Sequence, residues 1–248
     1  MKKLAFLFLL VAISLFGSEI TVAVAANVSY AIIDLKKEFN KIYPNTKVKV
    51  VLGSSGKLTA QIKNGAPYDV FMAANMKYPK ALFEQKMATS KPVVYAKGSL
   101  AYFSKNAKNF SKGIALVKDR SIGVIAVANP KTAPYGKATL EAMKKADIYE
   151  HIKSKLVYAE SISQTVSYVM TAADIGFIAK SSLYSDKMRQ YKRGIHWEDV
   201  DTALYTPINQ GIVILKDAKD RVEVREFYDF IFSNRAKNIF TNYGYLVK

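Results

Sequence analysis

The sequence of 248 residues contains no cysteine and only two histidines. Without cysteine the chain has no disulfide, no thiolate metal site, no thiol nucleophile and no lipid-anchor cysteine behind an export signal. The histidines, His151 and His196, lie in no patterned motif. A His-Glu-x-x-His zinc motif and a Gly-x-Gly-x-x-Gly dinucleotide fingerprint are also missing. The inventory of catalytic residues is therefore thin, and we expect a protein that is not an enzyme and needs no cofactor.

Long hydrophobic runs are scarce as well. The apolar stretch from Leu4 to Phe16 follows Lys2 and Lys3 and is too short to span a bilayer. This arrangement is typical of a secretory signal, so we expect residues 1–18 to be removed by cleavage near Ser18 and the mature chain to reside in the periplasm. The alternative, an uncleaved anchor, is disfavoured because no longer apolar run follows.

Acidic residues are few compared with basic ones, which gives the chain a formal net charge of +17. Such a charge is compatible with a nucleic acid, an acidic membrane or an anionic ligand. The lysines are scattered and form no long basic run interleaved with aromatic residues. We therefore expect a solvated basic surface that steers anions, and no nucleic-acid partner.

What the sequence does contain is a repeated junction, in which an apolar strand-like run ends in small or polar residues and opens into a helix pattern. The four junctions follow residues 20–27, 48–55, 122–130 and 156–161. Each would present the free N–H groups of a helix N-terminus, which bind anions. In an open α/β sheet these ends gather at the carboxyl edge of the strands. No cluster of basic residues or metal ligands accompanies them, which indicates a site that holds a small oxyanion with neutral donors.

The alternation of strand and helix patterns predicts an α/β fold with mostly parallel strands. The length allows one large domain or two lobes. No Pro/Gly-rich linker separates two halves, so we expect the chain to cross between two lobes near residues 95–99 and to return near 205–208. Two crossings would form a hinge, with the site in the cleft between the lobes.

The segment Gly53-Ser54-Ser55-Gly56-Lys57 is similar to a phosphate-binding loop but does not match one, because that motif requires glycine at 51 and serine or threonine at 58. It also lacks the Gly-x-Ser-x-Gly spacing of a nucleophile elbow. We expect Ser54 or Ser55 to cap the helix that follows residue 55. We expect Asn27 to cap the helix that follows residue 27. Capping without any ligand is the alternative for each of them.

Several blocks of the sequence together resemble the ModA family, the periplasmic molybdate-binding proteins of ABC importers. The resemblance spans the mature chain and is carried by residues 20–27, 53–71, 129–136, 174–177 and 228–243. It implies a two-lobed type II periplasmic binding protein fold with mixed, mostly parallel sheets and a hinge of two chain crossings. Lobe 1 would comprise residues 19–96 and 207–248, and lobe 2 residues 97–206.

The resemblance also implies a tetrahedral oxyanion held between the lobes by hydroxyl and backbone N–H groups. Carried over by position, the contacts fall on Asn27, Ser55, Tyr135 and Ile162, with Ala26 as a further backbone donor. Many family members have serine at the position of Asn27. Many also have a tyrosine in the strand after Ile175-Gly176, where this chain has Phe177, so Tyr135 is the candidate to replace that hydroxyl.

These features predict a monomeric capture protein that binds molybdate and tungstate and delivers them to an ABC permease. Both anions are fully deprotonated at neutral pH and need only donors, whereas phosphate keeps a proton and would require an acceptor. Sulfate is smaller, and we expect a cleft closed on a larger anion to reject it. The alternatives are a binder of another oxyanion (tungstate alone, sulfate or thiosulfate), a periplasmic serine hydrolase using Ser54 or Ser55, and a basic nucleic-acid binder.

Overall fold

The computed structural model describes residues 17–247. Their strands form two five-stranded sheets, with helices packed against each. The strands are β1 Ser18–Ala25, β2 Thr46–Gly53, β3 Val70–Ala73, β4 Val93–Gly98, β5 Leu100–Phe103, β6 Ile125–Ala128, β7 Leu156–Ala159, β8 Ile175–Ala179, β9 Trp197–Asp199 and β10 Ile208–Ile214. The helices are α1 Ala31–Ile42, α2 Ser55–Lys63, α3 Lys77–Glu84, α4 Pro134–Lys145, α5 Tyr149–Ile152, α6 Ile162–Thr171, α7 Val222–Phe230 and α8 Asn234–Asn242.

The two sheets have the same plan. The first has the strand order β2-β1-β3-β10-β4 and the second the order β7-β6-β8-β5-β9. In each sheet three strands pair in parallel through helical crossovers, and two more strands pair antiparallel beside them. The sheets are mixed as predicted, although parallel pairs make up half of the ladder pairs rather than most of them.

The antiparallel strands are those that join the two sheets. The chain leaves the first sheet at the end of β4 and enters the second at the start of β5, with Ser99 between them. It returns from β9 to β10 through residues 200–207. Because both connections lie side by side, the carboxyl edges of the parallel strands in the two sheets face each other across one cleft.

Helix α1 illustrates how the periodic apolar residues build the core. Its Ile32, Leu35 and Phe39 are buried on one face, as their spacing predicts. The Phe39 ring meets the Phe227 ring edge to face, with 5.2 Å between centroids. This face joins α1 to the C-terminal helices, which hold the first sheet from the same side. Among residues 17–247, no helix has the length and apolar content that a membrane crossing requires.

Several element boundaries differ from those that the pattern predicts. Helices α2 and α6 begin at Ser55 and Ile162, directly at the ends of the junctions 48–55 and 156–161, so their first turns lie in the junctions rather than on an apolar face. The strand-like run that begins at residue 122 forms a strand only from Ile125 onward. The carboxylate of Asp174 accepts the backbone N–H groups of Gly123 and Val124 at 2.8 and 2.9 Å, and this takes the donors that a strand would use.

Candidate ligand-binding site

A small cavity of about 190 Å³ lies between the carboxyl edges of the two sheets. Its lining combines three strand ends with three helix starts: Ala25, Ala26, Asn27, Ser54, Ser55, Ala74, Ala133, Pro134, Tyr135 and Ile162. The structure thus brings all five of the predicted contact residues around one cavity, and it adds Ser54, which the predicted set omits.

The lining is built from helix N-termini. The short 3₁₀ turn Ala26–Val28 follows β1, and α2, α4 and α6 begin at Ser55, Pro134 and Ile162. The first N–H groups of a helix have no intrahelical acceptor, and the dipole makes this end positive. Because Pro134 occupies the first position of α4 and lacks an N–H, the first donor of that helix is Tyr135. The cavity is therefore surrounded by backbone donors.

Two serine hydroxyls contribute further donors. Ser55 Oγ accepts the backbone N–H of Ala74 at 2.9 Å, and its own proton is not used in that bond. Ser54 occupies the N-cap position of α2, but its side chain makes no capping hydrogen bond. Its Oγ is buried without a partner. The expectation that a hydroxyl of Ser54 or Ser55 caps the helix is therefore wrong, and both hydroxyls remain available to a ligand.

The predicted role of Asn27 as an N-cap is also wrong. The N-cap of α1 is Tyr30, and Asn27 lies in the preceding 3₁₀ turn. Its Nδ2 donates to Gln210 Oε1 at 2.6 Å and to the Tyr245 hydroxyl at 3.1 Å. Its carbonyl oxygen accepts from Ser181 Oγ at 2.9 Å and from Tyr245 at 2.7 Å. The Asn27 amide N–H groups are thus used to hold the turn, while Oδ1 is buried without a partner.

The side chain of Tyr135 lies behind the cavity, in the direction of the chain crossings. The residue is 1% exposed, and a Cβ atom on Gly98 would overlap its hydroxyl. Burial raises the pKa of Tyr135 well above its ordinary value, and the neighbouring Tyr245, Tyr95 and Tyr205 add to the shift. Burial also raises the pKa of Tyr245 to about 12. These hydroxyls stay protonated and neutral at physiological pH.

No residue lining the cavity carries a formal charge at neutral pH. A charged pair at the cleft is formed by Lys57 and Glu160, whose Nζ and Oε1 atoms are 2.7 Å apart. Within residues 17–247, no three His, Cys, Asp or Glu side chains are grouped so that they could hold a metal ion. Phe177, whose ring carries no hydroxyl, is fully buried and stacks on Tyr102. The arrangement is suited to a small anion held by neutral donors.

Comparison with known proteins agrees with this geometry. The family described as bacterial extracellular solute-binding protein matches residues 20–246. The molybdate-binding protein ModA of Azotobacter vinelandii is 36% identical over 234 residues, which cover 92% of this chain and 90% of that protein. The chain belongs to the ModA family of solute-binding proteins. ModA of Rhodobacter capsulatus is 34% identical over 235 residues, covering 94% and 90% of the two chains.

Solved structures confirm the fold predicted for a ModA-family chain. The periplasmic molybdate-binding protein of Azotobacter vinelandii superimposes with a TM-score of 0.85 at 28% identity, covering 92% of this chain and 99% of that one. The two-lobed α/β architecture of the periplasmic binding proteins is therefore shared over 92% of this chain. The resemblance stated from the sequence is confirmed, and its relatives are binding proteins rather than catalysts.

Proposed function

We propose that this protein captures molybdate, and also tungstate, in the cavity between the sheets and delivers the anion to an ABC permease of the inner membrane. It would do so as a monomer in the periplasm, without turnover and without a cofactor. The proposed export signal, residues 1–18, lies almost entirely outside the described residues. The ModA relatives and the neutral, donor-rich cavity support this function.

The observation that carries the proposal is the chemistry of the lining. Its donors are backbone N–H groups at helix starts and two serine hydroxyls, and it contains no carboxylate. An anion that is fully deprotonated can use every donor, and charge-assisted hydrogen bonds strengthen away from water. Phosphate retains a proton at neutral pH and would require an acceptor. The unpartnered Asn27 Oδ1 is the acceptor at hand, so phosphate is an informative competitor in the test.

The proposed contacts are the hydroxyls of Ser54 and Ser55 and the backbone N–H groups of Ala26, Tyr135 and Ile162. Tyr135 would act through its backbone, since its hydroxyl lies beside Gly98 and the buried amide of Gln210. Asn27 would hold the turn that presents the backbone of Ala26, and its side-chain N–H groups would not reach the anion. This assignment changes the role of Asn27 from contact to support.

We further propose that the anion is enclosed by a hinge movement between lobe 1, residues 19–98 and 207–248, and lobe 2, residues 99–206. The boundary expected at residue 96 moves to residue 98 because β4 extends to Gly98 in the first sheet. The adjacent connections between β4 and β5 and between β9 and β10 support such a hinge, because within residues 17–247 only these two passages join the sheets. In the closed state the N-termini of α4 and α6 would lie opposite those of the 3₁₀ turn and α2, as they do in the described arrangement.

The proposal is tested by thermal unfolding of residues 19–248 with molybdate, tungstate, sulfate or phosphate, each supported by calorimetric titration. A ligand present at about one hundred times its dissociation constant adds roughly 2.7 kcal/mol of stability. We expect stabilisation by molybdate and tungstate only. Stabilisation by sulfate or phosphate instead would assign the protein to another oxyanion. No stabilisation by any of the four, together with hydrolysis of ester substrates, would replace binding by hydrolase activity.

A further inference from the structure

The N-terminus of α2 is bound directly to the loop that precedes α4, on the opposite side of the cleft. The backbone N–H of Gly56 donates to the carbonyl oxygen of Thr132 at 2.9 Å. Gly56 follows Ser55, which lines the cavity, and Thr132 precedes Ala133, which lines it from the other side. The contact therefore joins the two walls of the cavity at its edge.

Glycine is required at this contact for a steric reason. A Cβ atom on residue 56 would lie 2.9 Å from Thr132 Cα and 3.0 Å from Thr132 O. Both atoms belong to the backbone and cannot rotate away. The third close atom, the Tyr78 hydroxyl at 2.9 Å, is the end of a side chain and can move. A side chain at position 56 would thus keep the two lobes apart without disturbing α2 itself.

A second contact crosses the cleft beside the first. The Lys57 ammonium and the Glu160 carboxylate are 2.7 Å apart and about half exposed. Lys57 follows Gly56 in the first turn of α2, and Glu160 lies between β7 and α6. Both contacts thus connect the first turn of α2 with the two loops that lead into α4 and α6.

These contacts bring positive helix ends together. The N-termini of α2, α4 and α6 face one cavity, and their partial positive charges repel each other unless an anion lies between them. We propose that the Gly56–Thr132 hydrogen bond is a closure contact, formed when the anion is bound, and that glycine at position 56 sets the affinity by permitting it. This inference rests on the proposed function, and it assigns closure to particular atoms.

The test substitutes Gly56→Ala in the mature chain and measures molybdate affinity and thermal stability separately. Alanine is favoured over glycine inside a helix, so the variant without ligand should unfold at the same temperature or higher. Because overpacking against backbone atoms is costly, its molybdate affinity should fall about tenfold or more. Tyr78→Phe in the same background removes the hydroxyl contact, and the loss of affinity should persist because Thr132 causes it.

Gly123→Ala is the matched control. Its Cβ would meet only Asp174 Oδ2, at the ordinary distance of 3.6 Å, in a loop that does not line the cavity. This variant should bind molybdate like the wild type. An affinity of Gly56→Ala within twofold of the wild type would overturn the inference. If the wild type itself is not stabilised by molybdate, the proposed function fails, and that result is distinct from a failure of the closure contact.

Amide hydrogen exchange supplies a readout that a structural role alone would not change. The second residue of a helix has no intrahelical acceptor for its N–H, so protection of the Gly56 amide reports the bond to Thr132. Exchange at Gly56 should slow when molybdate is added and should be fast without it. Equal exchange rates in the two conditions would also overturn the inference.

The ion pair is tested by the variants Lys57→Gln and Glu160→Gln and by the two together. The double variant separates the interaction energy of the Lys57–Glu160 pair from the repulsion between the Glu160 carboxylate and the bound anion. For an exposed pair we expect a coupling of about two- to fivefold in molybdate affinity, weaker at high salt. The same coupling in the stability of the ligand-free protein would show a contact that is independent of closure, and would contradict the proposal.

Discussion

Two adjacent serines on the cavity wall should respond differently to the same substitution. Ser55 Oγ accepts a buried backbone N–H from Ala74 at 2.9 Å, whereas the buried Ser54 Oγ has no partner in the described structure. Both hydroxyls are available to donate to a bound anion. Ser54→Ala and Ser55→Ala therefore change ligand affinity and protein stability in separable ways.

The expected magnitudes follow from these partners. Ser55→Ala leaves the Ala74 N–H without an acceptor, which costs about 1–3 kcal/mol of stability in the ligand-free protein. It also removes a hydrogen bond to a charged group, which contributes about 1.5–3 kcal/mol and corresponds to a roughly 10- to 150-fold loss of affinity. Ser54→Ala should weaken molybdate binding by a similar factor. Its ligand-free stability should stay within about 0.5 kcal/mol of the wild type or rise, because no hydrogen bond is lost.

The assay combines calorimetric titration with molybdate and denaturant unfolding without ligand. Ser233→Ala provides the matched control, since Ser233 Oγ caps α8 by accepting the Ala236 N–H at 3.2 Å and lies outside the cavity. It should lose about 1 kcal/mol of stability and no affinity. A comparable loss of ligand-free stability in Ser54→Ala would show that Ser54 acts as a cap, and unchanged affinity in both site variants would refute the assignment of the hydroxyls as donors.

Three further predictions concern the surroundings of the cavity. Gly98→Ala should destabilise the protein by about 2 kcal/mol in denaturant unfolding, because the added Cβ would overlap the buried Tyr135 hydroxyl and lie 2.8 Å from Gln210 Nε2. Adding Tyr135→Phe to this variant should recover part of the lost stability. Tyr135→Phe alone should leave molybdate affinity within about twofold of the wild type. Molybdate affinity measured by calorimetry should be constant from about pH 6 to about pH 9. Burial raises the pKa of Tyr135 and Tyr245, so these hydroxyls lose their protons only above that range. A fall in affinity near neutral pH would contradict this prediction. Asp174→Asn should lower the free energy of unfolding by about 1 kcal/mol at neutral pH, because backbone hydrogen bonds to the carboxylate lower the pKa of Asp174. The wild type loses this stabilisation as the pH falls through the lowered pKa, so the stability of the variant should depend less on pH in the acid range.

The family resemblance implied the set of contact residues, and local signals predicted the junctions at which they lie. A strand followed at once by a helix places the helix start at the carboxyl edge of the sheet. Pro134 fixes the first N–H of α4 at Tyr135, and Ser161 caps α6 so that Ile162 is its first helical residue. These relations extend over only a few residues, and the structure places the predicted set around one cavity.

The roles of Asn27 and Tyr135 were not accessible in the same way. The amide of Asn27 is held by Gln210 and Tyr245, which are 183 and 218 residues away in the chain. The Tyr135 hydroxyl is placed by its contact with Gly98, on the strand that leaves the first sheet. An asparagine before a helix is most simply interpreted as a cap, and only the folded arrangement shows that its amide is used by distant partners.

The boundaries that differ have a similar explanation. Apolar periodicity defines which face of a helix is buried, but the first turn of α2 faces the cavity and carries no such pattern. The strand at β6 begins late because the side chain of Asp174, 50 residues farther along, accepts the N–H of Val124. Local patterns therefore define the elements, whereas long-range hydrogen bonds define where they begin.

The basic surface and the neutral cavity perform different tasks. The formal charge of +17 is carried by scattered lysines and arginines, and their field attracts any anion over roughly one Debye length, about 8 Å at physiological salt. Such a field cannot distinguish molybdate from sulfate or phosphate. Neutral donors fixed at helix starts can, because their hydrogen bonds depend on the size and protonation state of the anion. A lysine inside the cavity would strengthen the binding of all these anions alike, so its absence from the lining is what allows selection by geometry.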